Sequence, residues 1–468
     1  MRTALRCGTA LALTATLALA ACARGQQEPA GGDGGDGGEQ TSFDPEAELS
    51  GDIQIMGFGL NDEIAEVRYD SAQRVMPEVD FSLVEGDLDI QQFLSAVAAG
   101  DAPDLIYANR DQIGTFASRG AIIPLDECIE GEGIDTSVFR ESALDQITFN
   151  DQVWGIPEFN QVQITMANSD LLDQAGLSVE DVNGSDWAAV EDAAGQLLAR
   201  EGGDLQVIGY DSKLPEFLPL WAMSNGVSLL SEDGRTANLD DPAVVEALEF
   251  AVGIYDAQGG FSAVKAYRDS ADFFGEGNQF ATGVLGAMPM EQWYVNVLND
   301  VSPDAPLAFD TFRDQDGEPM AFASGSAWAV PAGTDTAPVA CRFMRHMTAT
   351  DTWLEAAQER HDMRAESGQL FTGLLTGNSE ADDMIREQLV PDDAPEPWAS
   401  AIDAMYEGND HTFSFPANPA DAEFKTAWQD AVNRVLNGQA EPQESLEQGQ
   451  EEAQAALDEA WAEWDQQG

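Results

Sequence analysis

The chain has 468 residues, of which 85 are acidic and 21 are basic, so its formal net charge is −64. A charge this negative makes nucleic acids and anionic lipid surfaces poor partners. The acidic residues are spread over the whole sequence and follow no EF-hand pattern, so we interpret them as the solvated surface of a protein that works in high salt rather than as a cation site.

The chain begins with a pattern typical of an export signal. After two arginines, an apolar run extends from Leu11 to Leu19 and ends in the small pair Ala20 and Ala21. This run is too short to span a membrane. The segment Leu-Ala-Ala-Cys at 19–22 resembles the lipobox of bacterial lipoproteins, which predicts a signal peptide over residues 1–21 and lipidation of Cys22. A plain signal cleaved nearby is the alternative.

A flexible tether follows over residues 22–49, because this stretch is rich in Gly, Asp, Glu and Gln and offers little to bury. The remaining residues are too many for one ordinary domain and suit two lobes. No later apolar run reaches membrane-spanning length. We therefore expect a soluble body anchored at the extracellular face of the cell membrane.

The body opens with alternating strands and helices. Strand patterns occur in DIQIMGFGL, VDFSLVEG and PDLIYAN, and helical patterns lie between them in NDEIAEVRYDSAQRVMP and IQQFLSAVAAG. This order predicts an α/β fold with a parallel, doubly wound sheet, whose ligands bind beyond the carboxyl ends of the strands. The loops Gly57–Asp62 and Ala108–Asp111 should therefore line a binding cleft. No dinucleotide cofactor is expected, because GFGLND lacks the third glycine.

Five later segments occur in an order that resembles the extracellular solute-binding proteins of bacterial ABC importers, in particular the sugar-binding group that includes the maltose-binding protein. The segments are APDLIYANRDQIGTFASRGAIIPLDE, VWGIPEFNQVQITMANSDLLDQAGL, FLPLWAMSNGVSLLSEDGRTANLDDPAVVEALEF, GNQFATGVLGAMPMEQWYVNVL and SGSAWAVPAGTDTAPVACRFMRHM. The resemblance covers most of residues 50–440.

This resemblance implies a two-lobed, periplasmic-binding-protein-like α/β fold of type II, with a hinge that the chain crosses three times. The crossings would lie near Phe159–Gln163, Met320–Ser324 and Met363–Glu366. The first lobe would then comprise residues 50–160 and 322–363, and the second lobe residues 161–321 and 364–468.

Two cysteines remain in the mature body, Cys128 and Cys341. In an exported protein they could form a disulfide or remain as two buried thiols. The resemblance puts both in the first lobe, which favours the bond.

The C-terminal segment SLEQGQEEAQAALDEAWAEW has one apolar helical face. We expect this face to pack on the second lobe. Its residues are Leu446, Ala453, Leu457, Trp461 and Trp464.

A sugar site needs polar side chains that match hydroxyl groups and aromatic rings that stack on C–H faces. On the first lobe the family position at the strand end implies Asn109, Arg110 and Asp111 as ligand contacts, with Asn61 and Asp62 nearby. The alternative is a loop that only caps the next helix.

Three polar residues, Glu158, Asn160 and Gln161, follow WGIP at the hinge, where the family commonly places ligand contacts. The alternative is a solvated connection. On the second lobe, PMEQWYVNV offers Trp293 as a stacking ring with Glu291 beside it, unless this tryptophan belongs to the core. Further candidates on that lobe are Glu216, Phe217, Trp221 and Phe415.

The sequence departs from the maltose-binding pattern at two positions. Ala108 replaces an aromatic residue and Gln161 replaces an acid, so maltodextrin should not be assumed. Arg110 could pair with a carboxylate or phosphate, which leaves an anionic sugar derivative open.

The rival class is an exported glycoside hydrolase in which Glu158 and Glu291 face each other across the cleft. A binding protein for a sugar phosphate or polyol is another alternative, and a surface adhesin would not explain the two lobes. The three histidines form no metal-ligand cluster and no G-x-S-x-G motif occurs. We therefore expect a monomeric binding protein with no enzyme activity, cofactor or metal, which closes on a carbohydrate and delivers it to a permease with a cytoplasmic ATPase.

Overall fold

The computed structural model describes residues 43–467. The predicted signal peptide, Cys22 and the tether up to residue 42 lie outside the described residues. Within 43–467, none of the helices combines the length and the apolar character that a membrane crossing requires.

The elements alternate along the chain. The strands are β1 (Gly51–Met56), β2 (Val79–Val84), β3 (Leu105–Asn109), β4 (Thr148–Phe149), β5 (Gln152–Val153), β6 (Ile156–Gln161), β7 (Gln163–Asn168), β8 (Ala199–Glu201), β9 (Asp204–Tyr210), β10 (Leu285–Glu291), β11 (Leu307–Thr311), β12 (Ala321–Phe322), β13 (Ser324–Ala329) and β14 (Thr412–Phe413). The helices are α1 (Glu63–Val75), α2 (Ile90–Ala99), α3 (Ile113–Ser118), α4 (Asp126–Glu132), α5 (Glu141–Asp145), α6 (Ser169–Ala175), α7 (Trp187–Leu197), α8 (Leu218–Ser224), α9 (Pro242–Ala257), α10 (Phe261–Arg268), α11 (Trp293–Val301), α12 (Ala337–Thr348), α13 (Thr350–Ser367), α14 (Ser379–Leu389), α15 (Trp398–Asp410), α16 (Asp421–Leu436) and α17 (Pro442–Gln467).

The first lobe is built on a sheet with the strand order β2-β1-β3-β13-β6. The three strands and two helices predicted at its start form as expected, and β1 pairs in parallel with both β2 and β3. Asp62 and Asp89 cap helices α1 and α2 through their side chains, a local signal that sets where each helix begins. Because side chains alternate along a strand, Trp328 enters the core on one face of this sheet while Ala327 and Ala329 enter the core on the other.

The second lobe is built on a sheet with the order β11-β7-β10-β9-β8. The inner strand β7, which lies between β11 and β10, is buried along its whole length, because helices cover both faces of the sheet. Strand β10 is parallel to β9 and antiparallel to β7. The carboxyl ends of β9 and β10 therefore lie at one edge.

The lobes are joined at a hinge. The first passage runs from β6 to β7 through Val162, and the second runs from β12 to β13 through Ala323. The third passage does not occur at Met363–Glu366, where the sequence placed it, because these residues lie inside α13. That helix packs along α1 and ends only where Gly368 adopts a left-handed conformation with φ of 72°.

The chain stays with the first lobe beyond α13, because Ile385 of α14 packs in one core with Trp353 of α13 and Ile64 of α1. It then enters the second lobe, where α15 packs on β11 and β7. The predicted boundary at residue 364 therefore comes too early.

The last two helices contact both lobes. On α17, Leu446, Ala453 and Leu457 are buried in the second lobe's core, as the apolar face predicted. The end of that face reaches the first lobe instead, since the ring of Trp464 lies 4.6 Å from that of Phe149. The pair α16 and α17 is thus shared between the lobes.

A disulfide joins Cys128 of α4 to Cys341 of α12, with the two Cα atoms 5.8 Å apart. Both residues lie in the same core of the first lobe. The bond therefore does not cross the hinge.

Candidate functional site

Two cavities of about 230 Å³ each lie between the lobes at the hinge. We name them the Asp111 cavity and the Trp293 cavity. Gln161 and Gly325 line both, so the cavities are two halves of one cleft. The predicted site residues are divided between them: Asn109, Arg110, Asp111, Gln161, Glu216, Phe217, Glu291 and Phe415 line the Asp111 cavity, and Asp62, Asn160, Gln161 and Trp293 line the Trp293 cavity.

Asp111 stands directly after β3, at the sheet edge where the sequence placed it. One carboxylate oxygen, Oδ2, accepts a hydrogen bond from Lys425 Nζ at 2.5 Å, and both side chains remain more than a third exposed. The other oxygen, Oδ1, accepts no hydrogen bond from any described residue. The exposed Asn109 lines the same cavity. This strand end therefore holds a buried acceptor atom with unused hydrogen-bonding capacity, beside the partly exposed Lys425 and the exposed Asn109, the kinds of group that bind sugar hydroxyls.

Arg110 reaches the wall of the Asp111 cavity but is fully buried. Its guanidinium donates to Gln146 Oε1 at 2.9 Å, to the Phe159 carbonyl at 3.1 Å, to Asn160 Oδ1 at 2.7 Å and to the Ser324 carbonyl. Burial lowers the pKa of this group to about 10. Because protein groups accept four hydrogen bonds from it, Arg110 ties β3 to two hinge passages. These bonds weigh against the anionic ligand that the sequence left open, and a direct contact between Arg110 and a ligand stays a prediction.

Two carboxylates of the second lobe line the Asp111 cavity. Glu291 ends β10 and accepts a hydrogen bond from Trp293 Nε1 at 2.7 Å, while Glu216 is exposed after β9. Burial raises the pKa of Glu291, although the bond from Trp293 works in the opposite direction. In the part of the chain that the structure describes, neither carboxylate forms an ion pair with a lysine or arginine.

Aromatic rings form much of the remaining wall of the Asp111 cavity. The ring of Phe415 lies 4.9 Å from that of Phe322 and 5.7 Å from that of Phe424. Phe322, Phe424, Lys425 and Trp428 were not predicted as site residues. Phe424 and Trp428 share a helical face and resemble ordinary core residues. The rarity of lysine in this chain was the one signal that could have singled out Lys425.

Trp293 is half-buried and lines the other cavity. Its ring lies nearly parallel to that of the exposed Phe274, at an angle of 16° and a centroid distance of 6.1 Å. The predicted partners Trp293 and Glu291 do contact each other, but they face different halves of the cleft.

Asp62 also lines the Trp293 cavity, where it caps α1 and accepts a hydrogen bond from Arg360 at 2.7 Å. Part of its hydrogen-bonding capacity is therefore already used. Its neighbour Asn61 is exposed and lines neither cavity.

Glu158 does not face the cleft. It is fully buried in an ion pair with Arg68, and it accepts hydrogen bonds from Tyr107 Oη at 2.5 Å and from the Phe159 amide at 3.1 Å. The pair with Glu291 that a glycoside hydrolase would need is therefore not formed.

Trp221, a predicted ligand contact, lines neither cavity. It is fully buried, donates from Nε1 to the Ser212 carbonyl at 2.9 Å, and packs edge-on against Tyr210, Phe250 and Phe312. Its helical spacing, which is typical of a core residue, indicated this position better than its aromatic side-chain type did.

Asn160 begins a buried polar chain that connects the lobes. Its amide donates to Asn409 Oδ1 at 2.6 Å, and the Asn409 amide donates to Asp382 Oδ2 at 2.9 Å. Asp382 also pairs with Arg140 at 3.1 Å and accepts two hydrogen bonds from Thr376. This chain links the first passage of the hinge to α14 and α15.

The ionisation of Asp382 should make the stability of this junction depend on pH. Burial raises its pKa to about 7, although the charge of Arg140 and the hydrogen bonds from Thr376 act to lower it. Because this value lies above that of the unfolded chain, near 4, the folded state binds the extra proton. The resulting stabilisation is present below pH 4 and is lost as the pH rises to about 7.

In the unmodified protein, the free energy of unfolding should fall between pH 4 and 7 by at most about 1.4 kcal/mol per pH unit. We expect this fall to be absent from Asp382→Asn when unfolding is measured by urea denaturation. The exposed Asp393→Asn is the control and should follow the unmodified protein. Parallel pH profiles for all three proteins would contradict the prediction.

No metal centre is formed within residues 43–467, where no group of three or more His, Cys, Asp or Glu side chains could hold an ion. The cleft can therefore be described from its hydrogen-bonding and aromatic groups.

The family is decided by a match over residues 78–362 to the model described as bacterial extracellular solute-binding protein. This stretch is well over half of the chain. The protein is a bacterial extracellular solute-binding protein.

Curated relatives are distant. The maltooligosaccharide ABC transporter solute-binding lipoprotein of Streptococcus pneumoniae is 22% identical over 269 residues, which is 54% of this chain and 57% of that protein. The lactose-binding protein of Rhizobium radiobacter is 24% identical over 215 residues, which is 43% of this chain and 49% of that protein. The chain spans about half the length of the curated relatives it matches.

Solved structures match over most of the chain. The sugar-binding protein MalE of Xanthomonas citri has a TM-score of 0.68 at 14% identity, covering 89% of this chain and 100% of that one. This solute-binding protein therefore has the two-lobed type II fold of the periplasmic binding proteins, as the sequence predicted.

Proposed function

We propose that this solute-binding protein captures a carbohydrate in the cleft formed by the Asp111 and Trp293 cavities. The observation that carries the proposal is the composition of the cleft, where carboxylates and amides from both lobes lie beside aromatic rings. Such walls suit a ligand with hydroxyl edges and apolar faces. The names of the relatives, for lactose and maltooligosaccharide, support the same class of ligand.

Binding would proceed by closure of the hinge. The first lobe offers Asp111 and Asn109, and the second lobe offers Glu291, Glu216 and Trp293. A ligand that contacts both sets gains more in the closed form than in the open one, so it shifts the population towards closure. Val162 and Ala323, each a single residue between two consecutive strands of different sheets, are suited to absorb the change in backbone angles.

Delivery would follow from recognition of the closed form by an ABC permease with a cytoplasmic ATPase. The lipobox at Cys22 would anchor a monomer at the extracellular face of the membrane, within reach of that permease. We propose binding without an enzymatic step, because Glu158, the carboxylate that the hydrolase alternative pairs with Glu291, is fully buried.

A thermal-shift screen of the full chain against neutral mono-, di- and oligosaccharides tests this proposal. A sugar present at 100 times its dissociation constant should add about 2.7 kcal/mol of stability. Trp293→Ala should weaken binding of that sugar about tenfold, because the variant loses a stacking face.

The control is Trp187→Ala, which removes a tryptophan from outside both cavities and should keep the sugar affinity. A folded protein that no carbohydrate stabilises would sink the proposal, and turnover of a sugar would replace it with an enzyme.

A further inference from the structure

The cations around the Asp111 cavity already have partners. Arg110 makes four hydrogen bonds to protein groups, and Lys425 pairs with Asp111 at 2.5 Å. An anionic ligand would have to displace these bonds, and it would meet the acidic side chains of the second lobe. The cavity therefore disfavours a negative charge.

The carboxylates of the second lobe have unused capacity. Glu291 accepts only the hydrogen bond from Trp293 among the described residues, and Glu216 accepts none. The third carboxylate near them, Asp421, differs because it is buried and accepts bonds from Gly114 and Asn418. Lys425 and Lys213 act on Glu291 electrostatically but from beyond ion-pair distance.

The aromatic side chains in the wall of the Asp111 cavity also favour a positively charged ligand. The faces of aromatic rings carry negative electrostatic potential and attract ammonium groups. Five such side chains line this cavity, namely Phe217, Phe322, Phe415, Phe424 and Trp428. The lining also offers amide donors and the partly exposed Lys425, which is paired with Asp111. The carboxylates Glu216 and Glu291 of the lining have no ion-pair partner among the described residues, and together with the aromatic side chains they suit a cation.

We propose that the carbohydrate captured in the Asp111 cavity carries an ammonium group, and that Glu216 and Glu291 of the second lobe hold this group. The inference rests on the proposed function and narrows its substrate class to amino sugars. It replaces the anionic sugar derivative that the sequence left open, because the arginine on which that alternative depended is occupied.

Isothermal titration of the full chain tests the inference with three matched series: glucose di- and trisaccharides, the glucosamine oligosaccharides of the same linkage, and their N-acetylated forms. N-acetylation removes the charge but keeps the ring. At low salt, and below the pKa of the amine, we expect the glucosamine form to bind at least about tenfold more tightly than the other two. In 1 M salt, where the Debye length is about 3 Å, this preference should shrink.

Substitutions at the carboxylates test whether the preference for the amine arises in the Asp111 cavity. Glu216→Gln with Glu291→Gln should abolish the preference for the amine, and Glu180→Gln, an exposed carboxylate of the second lobe outside both cavities, should retain it. Neutral sugars that bind as tightly as their amines would overturn the inference while leaving carbohydrate capture intact. Failure of all three series to bind would overturn the inference, whereas carbohydrate capture itself is decided by the broader thermal-shift screen. An equal loss in Glu180→Gln would overturn the assignment to this cavity.

Discussion

Replacing Arg68 with methionine is expected to lower the free energy of unfolding by about 3–5 kcal/mol, measured by urea denaturation. Arg68 and Glu158 are fully buried and form an ion pair, and the guanidinium of Arg68 lies 3.8 Å from the ring centroid of Trp353. Methionine fills similar space but leaves the carboxylate of Glu158 buried without its cation. The size of the effect is set by the free-energy cost of burying the unpaired Glu158 carboxylate, rather than by the attraction between the two charges in the intact protein.

The matched control is Arg74→Met on the same helix. Arg74 pairs with Glu355, but both side chains are about half exposed, so this variant should cost at most about 1 kcal/mol. Adding Glu158→Gln to Arg68→Met should restore part of the stability, because no charge then remains buried. If Arg68→Met and Arg74→Met lowered the free energy of unfolding equally, the buried Glu158 carboxylate would not need Arg68 to offset its charge.

Removing the disulfide is expected to have the second large effect. The double variant Cys128→Ala with Cys341→Ala should lose about 2–5 kcal/mol of stability, because the bond closes a loop across a sequence separation of 213 residues. Denaturation of the oxidised protein with and without a reductant measures the same quantity. Since both cysteines belong to the first lobe, the sugar affinity of the folded variant should be unchanged.

Thiol titration of the unfolded protein provides the control for this experiment. Reduction should raise the number of titratable thiols by two, those of Cys128 and Cys341. If the reductant leaves the unfolding curve of the intact protein unchanged, the bond does not contribute to its stability.

The start of the first lobe could be predicted because its signals are local. The alternation of β1 and β3 and the caps at Asp62 and Asp89 depend on residues a few positions apart. The third passage of the hinge was placed wrongly because no local break marks Met363–Glu366, and the true end of α13 is set by Gly368.

Candidate ligand residues were chosen by side-chain type, and type alone does not distinguish a cleft from a core. Arg110, Glu158 and Trp221 have the chemistry that a sugar site uses, yet the structure buries each one among protein partners. Asp111 and Glu291 have the same chemistry and keep part of it open to the cleft.

The sequence by itself determined the family and the two-lobed class, because the order of its segments resembles that of known solute-binding proteins. It also determined the strand ends from which the cleft is built, because these follow from hydrophobic periodicity. Only the tertiary structure decided which polar groups a ligand can reach. The physical reason is distance along the chain: Asp111 meets Lys425 across 314 residues, and Arg68 meets Glu158 across 90. Burial and pairing between such remote residues depend on how the lobes pack, which no local pattern encodes.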